Sequence, residues 1–123
     1  MKQPLSLAFV DIDSLKQTND ALGHAAGDQV LRETAELIRT YFRTYDLTVR
    51  YGGDEFLCAL FGMEPADAEE RFSRLNAQLK STRQASVTFG LAALREDDDL
   101  EDLVARADAA MYEARQQRRS TDV

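Results

Sequence analysis

The stretch Arg50-Tyr51-Gly52-Gly53-Asp54-Glu55-Phe56 sets two glycines and two acids between apolar runs. Glycine takes positive φ at no steric cost, so Gly52 and Gly53 predict a two-residue hairpin turn presenting Asp54 and Glu55 at its tip. Leu47, Val49 and Tyr51 alternate on one side, and Phe56 to Phe61 returns on the other. A second acidic pair, Asp11 and Asp13, closes the apolar run Leu5 to Val10, where another strand would end. If those strand ends lie side by side, three or four carboxylates converge at one sheet edge. Such a cluster can hold a divalent metal over a phosphorylated substrate, because Mg2+ takes oxygen ligands and commonly only one or two protein carboxylates beside phosphate. Taken alone, a Gly-Gly-Asp-Glu stretch is equally compatible with a solvated acidic turn.

Working outward, hydrophobic periodicity orders the remaining elements. The continuous apolar run Leu5 to Val10 suits a central strand. A short helix from Ser14 to Leu22 follows, with Ser14 or Asp13 as N-cap and Gly23 as its stop. Val30, Leu31, Ala35, Ile38, Tyr41 and Phe42 mark one face of a long helix. Past the hairpin, Pro65 at a first helical position opens a helix whose face is Ala68, Phe72, Leu75 and Leu79. Ala85, Val87, Phe89 and Leu91 alternate with smaller or polar residues, which predicts a last strand facing the core on one side. Asp97, Asp98 and Asp99 sit where a helix N-terminus favours negative charge, and Leu100, Leu103, Val104, Ala107, Met111 and Ala114 continue that helix. The order βααββαβα predicts an α+β fold with a mainly antiparallel central sheet flanked by helices. Residues 119–123 are expected to fray.

The chain of 123 residues, 44% of them hydrophobic, suffices for one core and one domain spanning 1–123. No apolar stretch approaches the roughly 20 residues that span a bilayer, and the N-terminus carries no signal-peptide pattern, so a cytoplasmic protein without membrane attachment is expected. A single cysteine excludes an internal disulfide, and Cys58 falls in a strand where a buried, unreactive thiol is expected. The formal net charge of −7 argues against a general nucleic-acid binder, whose affinity rests on clustered Lys and Arg. It leaves room for a nucleotide, which needs only metal and a local cationic spot such as Lys16 or Arg115, Arg118 and Arg119.

Four blocks in order resemble the GGDEF family, the diguanylate cyclases. They are Asp11-Ile12-Asp13-Ser14-Leu15-Lys16-Gln17-Thr18-Asn19-Asp20, Gly23-His24-Ala25-Ala26-Gly27-Asp28, Arg50-Tyr51 with the glycines and acids after them, and Arg106-Ala107-Asp108-Ala109-Ala110-Met111-Tyr112-Glu113-Ala114-Arg115. The resemblance implies a palm-like nucleotidyl cyclase fold that condenses two GTP into cyclic di-GMP with release of two pyrophosphates. It implies Mg2+ (or Mn2+) on Asp11, the carbonyl of Ile12 and Asp54, with Asp54 and Glu55 catalytic and Glu55 either a second ligand or the base for the attacking 3′-hydroxyl. Substrate contacts implied in the same way are Ser14, Leu15 and Lys16 for phosphate, Asn19 and Asp28 for guanine, Gly52 and Gly53 beside the nucleotide, and Arg115 and Arg119 for the terminal phosphates. Each GTP occupies one protomer, so the competent species is a transient homodimer.

Physical chemistry agrees at several of these positions. Helix N-terminal amides and dipole favour phosphate, and a carboxylate can accept from both the ring N–H and the exocyclic amine of guanine, which adenine lacks. Simpler roles exist for the same residues. Asp11 or Asp13 can cap the first helix, Asp28 can favour the start of the long one, Arg115 and Arg119 suit a helix C-terminal turn, and His24 between Gly23 and Gly27 reads as structural. Arg43-Thr44-Tyr45-Asp46, five residues before Gly52, resembles the family's Arg-x-x-Asp inhibitory site for cyclic di-GMP, with Arg43 and Asp46 as its two fixed residues.

The sequence departs from the family pattern in places. Leu15 stands where Phe is usual, Arg115 replaces a Lys, and the common Gly-Arg-Asn ending reads Arg118-Arg119-Ser120. The N-terminal Asp-x-Leu-Thr-Gly-Leu-x-Asn-Arg-Arg helix is absent from the sequence, and the stretch from Lys80 to Ser86 is short. A non-catalytic module that binds GTP or cyclic di-GMP is therefore the alternative to an enzyme.

Overall fold

The computed structural model describes residues 4–13, 15–42, 47–50 and 53–121, with only the backbone described at 47, 49, 50 and 118–121. Eight elements follow in the expected order: β1 (Leu5–Ile12), α1 (Leu15–Leu22), α2 (His24–Tyr41), β2 (Leu47–Arg50), β3 (Glu55–Phe61), α3 (Pro65–Arg83), β4 (Val87–Ala93) and α4 (Leu100–Thr121). The four strands form one sheet in the order β2-β3-β1-β4, every neighbouring pair antiparallel. α4 is helical as far as Thr121, into the terminal residues expected to fray.

β1 lies between β3 and β4, and its side chains alternate between two cores. Ala8, Val10 and Ile12 join Val30, Leu37, Ile38, Phe72, Leu75 and Leu79 from α2 and α3 on one face. Leu7 and Phe9 join Leu103, Ala107 and Met111 from α4 on the other. Burial on both faces is what an uninterrupted apolar run requires.

The same geometry corrects the one-sided reading of β4. Val87, Phe89 and Leu91 face the larger core, but Ala92 faces α4, and Gly90 lies against its backbone. A Cβ at Gly90 would stand 2.0 Å from the Met111 nitrogen and 2.3 Å from the Ala107 oxygen. Glycine is thus the residue that lets α4 settle directly on the strand. Leu100, expected on the apolar face of α4, is instead 69% exposed, because it opens the helix before the packed turns begin.

Local chemistry sets the boundaries. Gly23, at φ 92°, separates α1 from α2 in a conformation that a side chain rarely adopts, and its N–H closes α1 by donating to the Asn19 carbonyl at 2.8 Å. Pro65 takes the first position of α3 as its sequence suggested. At the start of α4, Asp99 accepts from the Asp102 N–H and Asp102 from the Asp99 N–H, at 2.8 and 3.1 Å. Arg106 then straps the β4–α4 loop, donating to both oxygens of Asp98 and to the Ala93 carbonyl at 2.6 Å. Cys58 is fully buried in β3, as expected for an inert thiol.

The register of β2 on β3 differs from that of the two-residue turn expected from the glycines. Arg50 pairs with Phe56, the last described pair of β2 and β3, whereas a two-residue turn at positions 52 and 53 would set Arg50 opposite Glu55. Gly53 is exposed, and a Cβ there would meet nothing within 4 Å. Gly52 lies outside the described residues.

Candidate functional site

The acids at the end of β1 meet those of the hairpin through strand register. Asp11 stands opposite Glu55 on β3 and opposite Thr88 on β4. The Ile12 N–H donates to the Asp54 carbonyl at 3.0 Å, which ties the hairpin to this end of β1. The expected convergence of strand ends is therefore present, although among the described residues no three acids form a set that would hold a metal by themselves. That arrangement is compatible with Mg2+, which keeps water or substrate oxygens in much of its shell.

Asp11 is buried, with 6% of its surface exposed. Its Oδ2 pairs with the Arg115 guanidinium at 2.6 Å, while its Oδ1 is buried and accepts no hydrogen bond. Burial pushes the carboxyl up to about 6; the hydrogen bond and charge of Arg115 oppose this, and the negative charges of Asp54 and Glu55 add to it. Glu55 is also raised, first by burial, then by Asp54 and Asp108, with Arg115 pulling down. An unsaturated, buried carboxylate oxygen with two more acids beside it is a cation-shaped deficit. The donor set of hard oxygens fits a divalent ion of the Mg2+ class.

Asp13 is engaged differently from the helix cap considered above. Ser86 Oγ donates to its Oδ2 at 2.7 Å and Thr88 Oγ1 to its Oδ1 at 2.5 Å, while its N–H donates to the Ser86 carbonyl at 2.9 Å. Arg115 lies 3.6 Å from the same Oδ1. The edge of β4 is fixed in turn by Asn76 of α3, whose amide accepts from the Val87 N–H at 2.8 Å and donates to the Val87 carbonyl at 3.1 Å. Ser86, Thr88 and Asn76 were not singled out in the sequence. Their alternation with Val87 and Phe89 placed the hydroxyls together, but their partner lies far away along the chain.

A second polar deficit lies between α1 and α2. Asn19 Oδ1 is buried without a hydrogen-bond partner, and a Cβ on Gly27 would stand 1.7 Å from it. Gly27 thus vacates the space that the Asn19 amide fills. Asp28 follows directly and is exposed just past the first turn of α2, so the two expected guanine readers lie on adjoining helices. Lys16 is exposed in the first turn of α1, Leu15 beside it is buried, and His24 is exposed at the start of α2. Arg115, expected to contact phosphate, lies against Asp11 and Asp13. Ser14, Arg43 and Asp46 fall outside the described residues, as does the side chain of Arg119. No helix among the described residues is long and apolar enough to cross a membrane.

Comparison with known proteins converges on one family. The family described as diguanylate cyclase, GGDEF domain, matches residues 1–121. Diguanylate cyclase A of Treponema denticola is 35% identical over 128 aligned positions, covering 97% of this chain and 34% of that protein, so this chain spans about a third of that relative's length. Among solved structures, the active GGEEF domain of a diguanylate cyclase from Vibrio cholerae superposes with a TM-score of 0.86 at 30% identity, covering 94% of this chain and 78% of the other. A microbial GGDEF domain studied in its interaction with cyclic di-GMP also reaches 0.86, at 34% identity, covering 94% of this chain and 74% of its own. The shared sheet brings the acids of β1 and of the β2–β3 hairpin together, and this chain belongs to the diguanylate cyclase GGDEF domain family.

Proposed function

We propose that this chain is a diguanylate cyclase domain, each protomer binding one GTP and two protomers condensing two GTP into cyclic di-GMP and two pyrophosphates. The observation that carries this is the buried, unpartnered Oδ1 of Asp11 with Asp54 and Glu55 alongside. Asp11, the Ile12 carbonyl and Asp54 would hold Mg2+ or Mn2+, which when bound neutralises charge at the α-phosphate and acidifies the attacking hydroxyl.

The chain's own residues do the remainder. Asn19 and Asp28 hold guanine, Asp28 accepting from the ring N–H and amine. Lys16 and the first amides of α1 face phosphate, where helix dipole and donors act together. Glu55, held above the usual carboxylate range, accepts the proton of the partner nucleotide's 3′-hydroxyl. The 3′-oxygen forms its bond to the α-phosphorus, and the bond from phosphorus to pyrophosphate breaks, with the electron pair leaving on pyrophosphate. A second, symmetric transfer closes the ring. Arg43 and Asp46 would bind the product as an inhibitor, and the domain works in the cytoplasm, where GTP is supplied.

Titration calorimetry tests the binding half. GTP is expected to bind only with Mg2+ present and more tightly than ATP; equal binding of both nucleotides without metal would contradict the proposal.

A further inference from the structure

Arg115 reaches the strand end from α4, with Nη2 2.6 Å from Asp11 Oδ2 and 3.6 Å from Asp13 Oδ1. Its side chain keeps 33% of its surface in solvent, whereas that of Asp11 keeps 9%. The carboxylate is thus built into the sheet, while the guanidinium can leave without unpacking the core. Asp11 Oδ1, the other arm of the same carboxylate, stays buried and unpartnered. One arm neutralised by a monovalent group and the other unsaturated is the pattern of a divalent site filled by a substitute. α4 carries this substitute into reach because Gly90 lets the helix lie on β4.

Resting on the metal and GTP assignment above, we propose that Arg115 is an internal counterion that trades places with the divalent cation. Without metal it neutralises Asp11 and ties α4 to the end of β1; when metal binds at Asp11 it turns out of the site and becomes available to nucleotide phosphate. Two cations on one carboxylate repel, and the bond lost at Asp11 is replaced by forked contacts to phosphate, which a guanidinium matches well. Metal and nucleotide then bind cooperatively, since each favours the state with Arg115 released. Metal alone binds weakly, because it must displace the guanidinium without that compensation.

The exchange is read directly by NMR of the whole chain titrated with Mg2+ alone, without nucleotide. In the metal-free protein the Nη groups of Arg115, assigned by their loss in Arg115→Gln, are expected to rotate slowly. Saturating Mg2+ should average them while the Ile12 and Asp54 amides shift. Amide shifts with Arg115 unchanged would overturn the exchange and leave the metal site standing. No response of any of these signals would overturn the metal site and the exchange with it. In Arg115→Gln, Mg2+ affinity is expected to rise about tenfold or more while the metal-free thermal midpoint falls; unchanged or weaker Mg2+ binding in the folded variant would count against the proposal.

Discussion

Glu55 stands directly opposite Asp11 across the β1–β3 ladder, so two carboxylates on neighbouring strands share one end of the sheet with Asp54 beside them. Like charges opposite one another destabilise a sheet. Burial and neighbouring acids raise both carboxyls.

That opposition has a measurable pH signature. Asp11 is raised from 3.8 to about 6, so its charge destabilises the fold above pH 6 and not below 3.8. Asp11→Asn should therefore stabilise the metal-free protein at pH 7.5 by up to about 3 kcal/mol, a gain that vanishes as pH falls through 6 toward 4. The same variant should lose Mg2+-dependent GTP binding. Denaturant midpoints across pH, with calorimetry, check both; a variant that is less stable at pH 7.5 would refute the charge assignment.

Gly27→Ala tests the proposed role of Asn19 in holding guanine. The new Cβ meets the movable end of Asn19, so the amide is displaced rather than the helices parted. The roughly 1 kcal/mol that alanine gains over glycine in a helix offsets much of the crowding. Thermal stability should change little, and the preference for GTP over ATP should fall. Retained selectivity would show that Asn19 does not read the base.

Gly90→Ala has the opposite character. Its Cβ would strike the backbone of α4 at Met111 and Ala107, which cannot rotate away. Overpacking of this kind costs roughly 1–3 kcal/mol or more. A lowered denaturant midpoint is expected, with weakened GTP binding because α4 carries Arg115. A neutral effect on both would mean that α4 is not seated on β4 as described.

The Asp98–Arg106 strap should act at acid pH. The Arg106 hydrogen bond, above all, holds Asp98 down at about 2, so its contribution is complete above the ordinary carboxylate value of 3.8 and is lost as pH falls toward 2. Thermal midpoints of the parent and Asp98→Asn should differ at pH 5 and draw together near pH 2. Parallel curves down to pH 2 would assign the loop's stability elsewhere.

The sequence was most informative where local pattern and tertiary need coincide. The run Leu5 to Val10 reads as a central strand because both of its faces are in fact buried, and Phe72, Leu75 and Leu79 read as core because a helix repeats its buried face. The acids at 11, 13, 54 and 55 were legible as a pair of strand ends. What local pattern could not supply was distance-crossing contact. The Arg115 pairing with Asp11, the Ser86 and Thr88 hydroxyls on Asp13, and the Asn19 amide over Gly27 each join segments whose neighbourhood depends on the assembled sheet. Gly90 carried a signal, since glycine inside a strand often marks close backbone approach. The two-residue turn was not legible as wrong from the glycines alone, because the β2–β3 register, which pairs Arg50 with Phe56, is set by the assembled sheet.

The most direct test of cyclase activity is chromatographic separation of products after incubation with GTP and Mg2+, using the chain alone and fused to a parallel coiled coil. In the proposed reaction one protomer holds one of two substrates, and fusion raises the effective concentration of the second site to roughly the millimolar range. Cyclic di-GMP is expected to form slowly from the unfused chain, faster as protein concentration rises, and steeply faster in the fusion. A folded dimer that binds GTP and yields no cyclic di-GMP over several linker lengths would contradict the enzyme assignment and leave a nucleotide-binding module.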